Sequence, residues 1–483
     1  MSDYHLIAIG AGTGGLTVTK LVARKGKKVA MIERARPGGD CLWTGCVPTK
    51  ALVHAAKVFY HAKHGEHLGV IANDLSLDFS AVRKHVIASQ HAAGKVESDE
   101  AIAANGVELI RGEARFIDAH TLDVDGRRLT ADYIVIATGG EPIAPPIPGL
   151  ARVGFDTNVE AVEWEALPKS LVVIGGGPIG CEFGQVMNRF GVETTILQSA
   201  DRLLERDDHA ASSVIRALLE REGVAVHTGS MIASVETEGG VKHVRFASGG
   251  MERSVLAERI LVAAGRKPEV ESLHLEAAGI EHNARGIVVD EGMRSSQPHI
   301  FAVGDVAGGY QFTHVAEAQA RLVANLINKP GRIQKRFQKW SDRVVPRVTY
   351  TDPEVASVGL TEEQARERYK GRAKTWYLPL AEVDRAITMG QTDGFFKVIT
   401  APGWQRRIPG LSGGAWRRDC RCLSRRPECG RVPDVPRRGD EGASADWSRR
   451  MEHAGLSDAR TRRAPGDGDA LRRQIASNAT GKS

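Results

Sequence analysis

The chain has 483 residues, of which 42% are hydrophobic and 5% aromatic, and 53 are glycine. This composition predicts a soluble α/β protein of several domains, and the absence of a long apolar run argues against a membrane protein. The net charge of +6 is uneven, because residues 401–483 hold 17 Arg and 1 Lys against 10 acidic residues, which leaves −2 elsewhere. The body therefore predicts no nucleic-acid partner, and the lack of a signal peptide predicts a cytoplasmic protein.

The first predicted unit is a strand, a glycine turn and a helix. A strand at 5–9 is followed by a helix at about 16–24 and by a second strand at 28–32, which ends at Glu33. The G-x-G-x-x-G spacing of Gly10, Gly12 and Gly15 lies between the first strand and the helix. Such glycines permit close approach of a pyrophosphate to a helix N-terminus, and the later acid can hold ribose hydroxyls. The order predicts a dinucleotide site; the alternative is a glycine-rich turn without a ligand.

Two cysteines follow in the run Gly-Gly-Asp-Cys-Leu-Trp-Thr-Gly-Cys-Val-Pro-Thr-Lys at 38–50. A disulfide needs Cα atoms about 4.4–6.8 Å apart, whereas positions i and i+5 of a regular helix lie slightly too far apart and off register. We therefore predict a bend at Gly45 and Pro48 and a redox pair, Cys41 and Cys46. The alternatives are two buried free thiols or a metal site, but only Cys181 remains outside the last 83 residues, so no metal site is predicted.

A second unit repeats the first from residue 171. Strand 171–174 is followed by a second strand at 193–197 that reaches Gln198, and the glycine spacing recurs at Gly175, Gly177 and Gly180. Gln198 is neutral, so the carboxylate for an NAD ribose is missing, and no Arg takes its place for a 2′-phosphate. Arg202 lies close but is interpreted as a solvated loop charge. The sequence does not decide whether the second site binds NAD or NADP.

Together these motifs resemble the pyridine nucleotide-disulfide oxidoreductases, flavoenzymes that include dihydrolipoamide dehydrogenase, glutathione reductase and mercuric reductase. The resemblance covers residues 1 to about 400. It implies an α/β fold with two Rossmann-like domains, for FAD and for NAD(P)H, and an α+β interface domain that is truncated or disrupted here. The implied regions are 1–150 and 273–340 for FAD, 151–272 for NAD(P), 341–404 for the start of the dimerisation domain, and 405–483 for an aberrant, disordered Arg-rich tail.

The resemblance also implies roles for single residues. Cys41 is the interchange thiol that meets the substrate, and Cys46 is the charge-transfer thiol that faces the flavin. Lys50 lies by the flavin and pairs with Glu182. The residues implied to bind cofactor, besides the six glycines of the two loops, are Glu33, Lys50, Ala114, Thr138, Gly139, Gln198, Gly265, Arg266, Asp305 and Thr313.

The resemblance stops after about Trp404. The family continues with a His-Pro segment and a nearby Glu, whose His serves across the dimer interface as acid/base for the interchange thiol. His453 is the only His of the tail and no Pro follows it. We hypothesise a reading-frame shift near 404–410, which would remove much of the family's dimer interface; the alternative is a genuine Arg-rich tail that binds nucleic acid or an acidic partner. Cys420, Cys422 and Cys429 lack a fourth metal ligand and are interpreted as accidental.

The implied activity is electron transfer between NAD(P)H and a disulfide or dithiol through FAD and the Cys41–Cys46 pair. Dihydrolipoamide is the first expected substrate. Mercuric ion is second, because the variants Asp40 and Trp43 of the cysteine motif look like those of mercuric-reductase-like members, and glutathione is third. The alternative from another class is an inactive nucleotide-binding remnant.

Overall fold

The computed structural model describes residues 2–329 and 339–402. The predicted tail, with His453 and its three cysteines, lies outside these residues. The first unit is built on a parallel sheet in the order β3-β2-β1-β6, extended beyond β6 by β18. Its strands are β1 (Tyr4–Ile9), β2 (Val29–Glu33), β3 (Val107–Arg111), β4 (Ala114–Phe116), β5 (Thr121–Val124), β6 (Arg127–Ile136) and β18 (Ile300–Ala302).

This sheet is covered on both faces, as parallel sheets are. Residues 6–9 of β1 are all buried, as are residues 29–32 of β2. The first half of β6 turns away to pair antiparallel with β5, which pairs with β4. The helices of this unit are α1 (Thr13–Ala23), α2 (Gly39–Trp43), α3 (Cys46–Lys63), α4 (Phe79–Gly94), α5 (Asp99–Ala104) and α10 (Thr313–Asn328).

The second unit repeats the same winding in a four-stranded parallel sheet, β10-β9-β8-β14. Its strands are β8 (Ser170–Ile174), β9 (Glu193–Leu197), β10 (Ala225–His227) and β14 (Arg259–Val262), with the antiparallel meander β11 (Met231–Glu238), β12 (Val241–Ser248) and β13 (Met251–Ala257) inserted before β14. Its helices are α6 (Leu150–Val153), α7 (Asn158–Ala161), α8 (Pro178–Arg189) and α9 (His209–Arg221). The predicted α/β class with two dinucleotide folds is confirmed.

Short strands join and extend these units. β7 (Gly140–Pro142) pairs with β15 (Arg266–Pro268), so the segments leaving the two sheets run side by side. β16 (His282–Asn283) pairs with β17 (Gly286–Ile287) before the chain returns to the first sheet. Among the described residues, no helix combines the length and apolar character needed to cross a membrane.

The last described region contains two antiparallel strand pairs. They are β19 (Pro346–Thr349) with β20 (Val355–Val358), and β21 (Lys374–Pro379) with β22 (Phe395–Thr400), accompanied by α11 (Glu362–Arg368) and α12 (Asp384–Thr388). Ion pairs hold this region to the second unit: Lys397 Nζ lies 2.6 Å from Asp208 Oδ1 at the start of α9, and Arg347 Nε lies 3.4 Å from Asp207 Oδ1.

Candidate active site

The redox segment bends at Gly45, as predicted, whereas Pro48, the other predicted bend position, lies in the first turn of α3. Cys41 lies in the short helix α2, and Cys46 is the first residue of α3. Between them the Gly45 amide turns back to donate to the carbonyl of Asp40 at 2.6 Å. A Cβ at Gly45 would stand 2.9 Å from that same carbonyl oxygen, so the tight turn requires glycine. Both cysteines are free thiols, Cys41 half-buried and Cys46 exposed.

The surroundings of the two thiols make them unequal. Cys46 Sγ lies 3.3 Å from Thr313 Oγ1, at the first turn of α10. The hydrogen bond from Cys41, with the Thr313 hydroxyl and the nearby Lys50 charge, lowers the pKa of Cys46 to about 6. The same hydrogen bond, together with burial, raises the pKa of Cys41. The pair therefore holds one proton on Cys41 and one thiolate on Cys46.

The predicted Lys50–Glu182 pair is formed. Lys50 Nζ lies 2.7 Å from Glu182 Oε2, and the Glu182 side chain is only 5% exposed. Lys50 stands one turn after Cys46 on α3, whereas Glu182 stands in the first half of α8, just past the second glycine loop. This ion pair connects the cysteine helix with the second nucleotide fold, and each charge compensates the other in a partly buried place.

The first glycine loop has room where a pyrophosphate is expected. Gly10 has φ +99°, and a Cβ at Gly15 would stand 1.9 Å from the Gly10 carbonyl oxygen, so packing alone requires these glycines. At Gly12 a Cβ would meet only Gly39 Cα, at 3.9 Å, and φ is an ordinary −79°. Glu33 Oε2 accepts from the Ala11 amide at 2.7 Å, which closes the loop. The space at Gly12, at the N-terminus of α1, fits a dinucleotide pyrophosphate.

The second loop repeats this geometry closely. Gly175 has φ +117°, and a Cβ at Gly180 would stand 1.9 Å from the Gly175 carbonyl oxygen. At Gly177 nothing lies within 4 Å of an added Cβ. Gln198 is buried, and its Oε1 accepts from the Gly176 amide at 2.8 Å, as Glu33 does in the first loop. The loop fits a second pyrophosphate, and the Gln198 side chain closes the loop through its oxygen.

Five of the remaining predicted cofactor residues lie where the segments leaving the two sheets meet: Thr138, Gly139, Gly265, Arg266 and Asp305. Thr138 Oγ1 donates to the Glu269 carbonyl at 2.7 Å, and the Glu269 amide donates to the Gly139 carbonyl at 3.1 Å. Gly139 has φ +80° and Gly265 has φ +146°, backbone conformations that favour glycine. This pairing joins the segments that leave the two sheets.

Arg266 connects three parts of the site. Its guanidinium contacts the Asp40 carboxylate and the Gly140 carbonyl, and its Nε lies 3.5 Å from Asp305 Oδ2. Burial raises the pKa of Asp305, and Arg266 partly offsets that effect. The link between Asp40 and Arg266 was not predicted from the sequence, because the two residues are 226 positions apart.

Ala114 is 3% exposed and its side chain packs in the core of the first unit, which leaves its backbone to meet a cofactor; its predicted cofactor role stays a prediction. Arg202 is not a solvated loop charge: its side chain is 24% exposed, and its Nη2 donates to the Glu205 carbonyl at 2.8 Å. The local turn at 202–205 holds the guanidinium against the protein, which charge patterning alone does not reveal.

The lowered pKa of Cys46 gives a pH prediction. In the reduced protein, alkylation of Cys46 by iodoacetamide should be half-maximal near pH 6, instead of near the usual thiol value of about 8.5. Because the thiolate is the reactive form, the rate should fall as pH drops through 6. Lys50→Met should move the midpoint upward, whereas Lys63→Met, an exposed position at the end of the same helix, should not. A midpoint near 8.5 in the unaltered protein would contradict this assignment.

Comparison with known proteins decides the family. Residues 4–320 match the model for pyridine nucleotide-disulphide oxidoreductases, and residues 345–413 match the dimerisation domain of the same family. This chain belongs to that family. The second match runs slightly past Trp404, where the sequence resemblance was predicted to end.

Individual relatives carry two different names. Mercuric reductase from Bacillus cereus is 38% identical over 401 residues, which cover 82% of this chain and 62% of that protein. Dihydrolipoyl dehydrogenase from Thermus scotoductus is 37% identical over 406 residues, covering 83% of this chain and 85% of that protein. Among solved structures, the HOCl-induced flavoprotein disulfide reductase RclA from Escherichia coli has a TM-score of 0.71 and 31% identity, covering 82% of this chain and 87% of that one.

Proposed function

We propose that this protein is a flavoprotein that takes electrons from NADH or NADPH and delivers them through Cys41 and Cys46 to a disulfide, or runs in reverse to oxidise a dithiol. The observation that carries the proposal is the unequal thiol pair beside the Lys50–Glu182 ion pair. A pair with one thiol and one thiolate is prepared for disulfide exchange, whereas two buried structural thiols are both protonated.

The two glycine loops supply the cofactor sites in this proposal. FAD would be held by the first loop, Glu33 and Asp305, and NAD(P)H by the second loop. Bound FAD supplies a two-electron carrier between the pyridine nucleotide and the sulfur pair. The Lys50–Glu182 ion pair connects the cysteine helix α3 with α8, which begins at the second loop, so the pair would lie close to bound FAD.

The sulfur chemistry balances on the chain's own residues. Cys41 forms a bond to one sulfur of the substrate disulfide and gives its proton to the other substrate sulfur, which leaves as a thiol. The Cys46 thiolate then attacks Cys41 and releases the second substrate sulfur. The dithiol has given up two electrons and ends as a disulfide, and NAD(P)H supplies the electrons that restore it.

We assign the substrate class to dihydrolipoamide or a similar small dithiol, most like dihydrolipoyl dehydrogenase. A second candidate is mercuric ion, favoured by the relatives named mercuric reductase and by Asp40 beside Cys41. The soft sulfur ligands of the Cys41 thiol and the Cys46 thiolate suit such an ion. We further propose a family-like dimer through the region after residue 340, weakened by the altered sequence beyond Trp404.

An acceptor screen tests the proposal. The FAD-reconstituted protein is supplied with NADH or NADPH and then with a redox dye, lipoamide, glutathione disulfide or Hg(II). We expect dye reduction and slower turnover of lipoamide, because no His-Pro segment is present to deprotonate Cys41, and such acid/base help is worth about 10²–10⁴-fold. Rapid Hg(II) reduction without lipoamide turnover would select the second candidate. A protein that binds neither flavin nor nucleotide would overturn both and favour the inactive remnant.

A further inference from the structure

The residue after β19, Tyr350, contacts both members of the Lys50–Glu182 pair. Its backbone amide donates to Glu182 Oε1 at 2.8 Å, and Lys50 Nζ lies 4.4 Å from the centroid of its ring. Glu182 therefore has both oxygens satisfied, one by Lys50 and one by Tyr350. The Lys50 ammonium lies between a carboxylate and an aromatic face, an arrangement that stabilises a cation.

The Tyr350 segment is itself firmly held. Two residues on, Asp352 is buried, and its carboxylate lies 2.8 Å from Lys57 Nζ of α3 and 2.9 Å from Arg189 Nη1 of α8. Gln185 of α8 accepts from the Asp352 amide at 2.8 Å and donates to its carbonyl at 3.0 Å. The segment cannot move without breaking buried charge pairs, which is costly.

Lys50 follows Cys46 by one helical turn, so the two side chains lie on one face of α3. Any contact that holds the Lys50 ammonium in place therefore also holds a positive charge beside the Cys46 thiol. Lys50 is a long side chain, and holding it in one place costs rotamer entropy that an aromatic contact can offset.

We infer that Tyr350 is a positioning residue of the redox centre, whose ring and backbone amide hold the Lys50–Glu182 pair beside Cys46. This inference rests on the proposed function. Tyr350 belongs to the region that matches the dimerisation domain, so a segment of that domain sets the charge environment of the cysteines. The role is assigned to the π face and the backbone amide, and Tyr350→Phe separates it from any effect of the phenol hydroxyl, which lies within electrostatic range of Cys46 and Cys41.

The test compares variants that keep or remove the ring. Tyr350→Leu keeps the backbone amide and removes the π face, whereas Tyr350→Phe keeps both. The matched control is Tyr377→Leu in β21, a tyrosine that stacks on Phe395. The readout is the pH profile of Cys46 alkylation in the reduced protein, measured on the Cys46 peptide by mass spectrometry, with and without FAD. Tyr350→Met, which fills the same space without a ring, replaces Tyr350→Leu if the latter does not fold.

For Tyr350→Leu we expect the alkylation midpoint to rise by about half to one pH unit, which lowers Cys46 reactivity about three- to tenfold at acidic pH. Tyr350→Phe and Tyr377→Leu should match the unaltered protein. An unchanged profile for Tyr350→Leu, or an equal shift for Tyr350→Phe, would overturn the inference. These outcomes differ from failure of the proposed function, in which the unaltered protein itself would show an ordinary thiol midpoint.

Discussion

Cys46→Ser is expected to abolish lipoamide or disulfide turnover, by about 10³-fold or more, while dye reduction by NAD(P)H persists. A serine hydroxyl stays protonated near neutral pH and cannot close a disulfide with Cys41, so the sulfur pair no longer accepts or returns two electrons. Dye reduction needs only the proposed nucleotide and flavin sites, whose glycine loops lie on other elements than the cysteines. Steady-state assays with the two acceptors on the same preparation measure both effects.

The control for this substitution is Cys181→Ala. Cys181 is fully buried in α8, where its thiol donates to the Gly176 carbonyl at 3.4 Å and burial raises its pKa, so it takes no part in thiol exchange. Cys181→Ala should leave lipoamide turnover and dye reduction close to those of the unaltered protein. If Cys46→Ser kept lipoamide turnover, or lost dye reduction to the same extent, the sulfur pair would not carry the electrons as proposed.

Valine at Gly12 or at Gly177 should separate the two cofactor sites. Gly12→Val is expected to weaken FAD binding by about 10²-fold or more, and Gly177→Val to weaken NAD(P)H binding similarly while FAD stays bound. Neither position needs glycine for packing, because an added Cβ meets at most an ordinary contact within the protein. The valine would instead fill the space at a helix N-terminus, where charge-assisted bonds from backbone amides to a pyrophosphate are worth about 1.5–3 kcal/mol each.

Each of these variants is the control for the other, since both place the same side chain at the same position of a repeated motif. The loss of an N-cap glycine costs the fold about 1 kcal/mol in both cases. Flavin content is read from the absorbance of the purified protein, and nucleotide binding from the rate at which NAD(P)H bleaches the remaining flavin. Loss of flavin in Gly177→Val with full retention in Gly12→Val would reverse the assignment of the two folds.

The sequence predicted the elements around the site well, because their determinants are local. Glycine spacing places both turns, and the predicted strand at 193–197 is β9 with the same bounds. The bend between Cys41 and Cys46 follows from disulfide geometry and from Gly45, which directly precedes Cys46. The Lys50–Glu182 pair came from family resemblance, since the two residues are 132 positions apart and no local pattern connects them.

The sequence could not show contacts that only the tertiary fold creates. Tyr350 contacts Glu182 although 168 positions separate them, and Asp352 forms ion pairs with residues of two helices. Neither contact has a periodic or spacing signal in the sequence. Gln198 stands at the predicted place, but the structure shows its oxygen bound to the Gly176 amide. Gln198 therefore closes the second loop as Glu33 closes the first. The spacing that predicts a ribose ligand at this position does not reveal that structural role.

The most direct test of the central claim is the anaerobic spectrum of the FAD-loaded protein during addition of NADH or NADPH. We expect loss of the oxidised-flavin absorbance and the growth of a long-wavelength charge-transfer band from the Cys46 thiolate against the flavin, a band absent in Cys46→Ser. A preparation that stays colourless after added FAD, or that gives the same band without Cys46, would contradict this path of electrons.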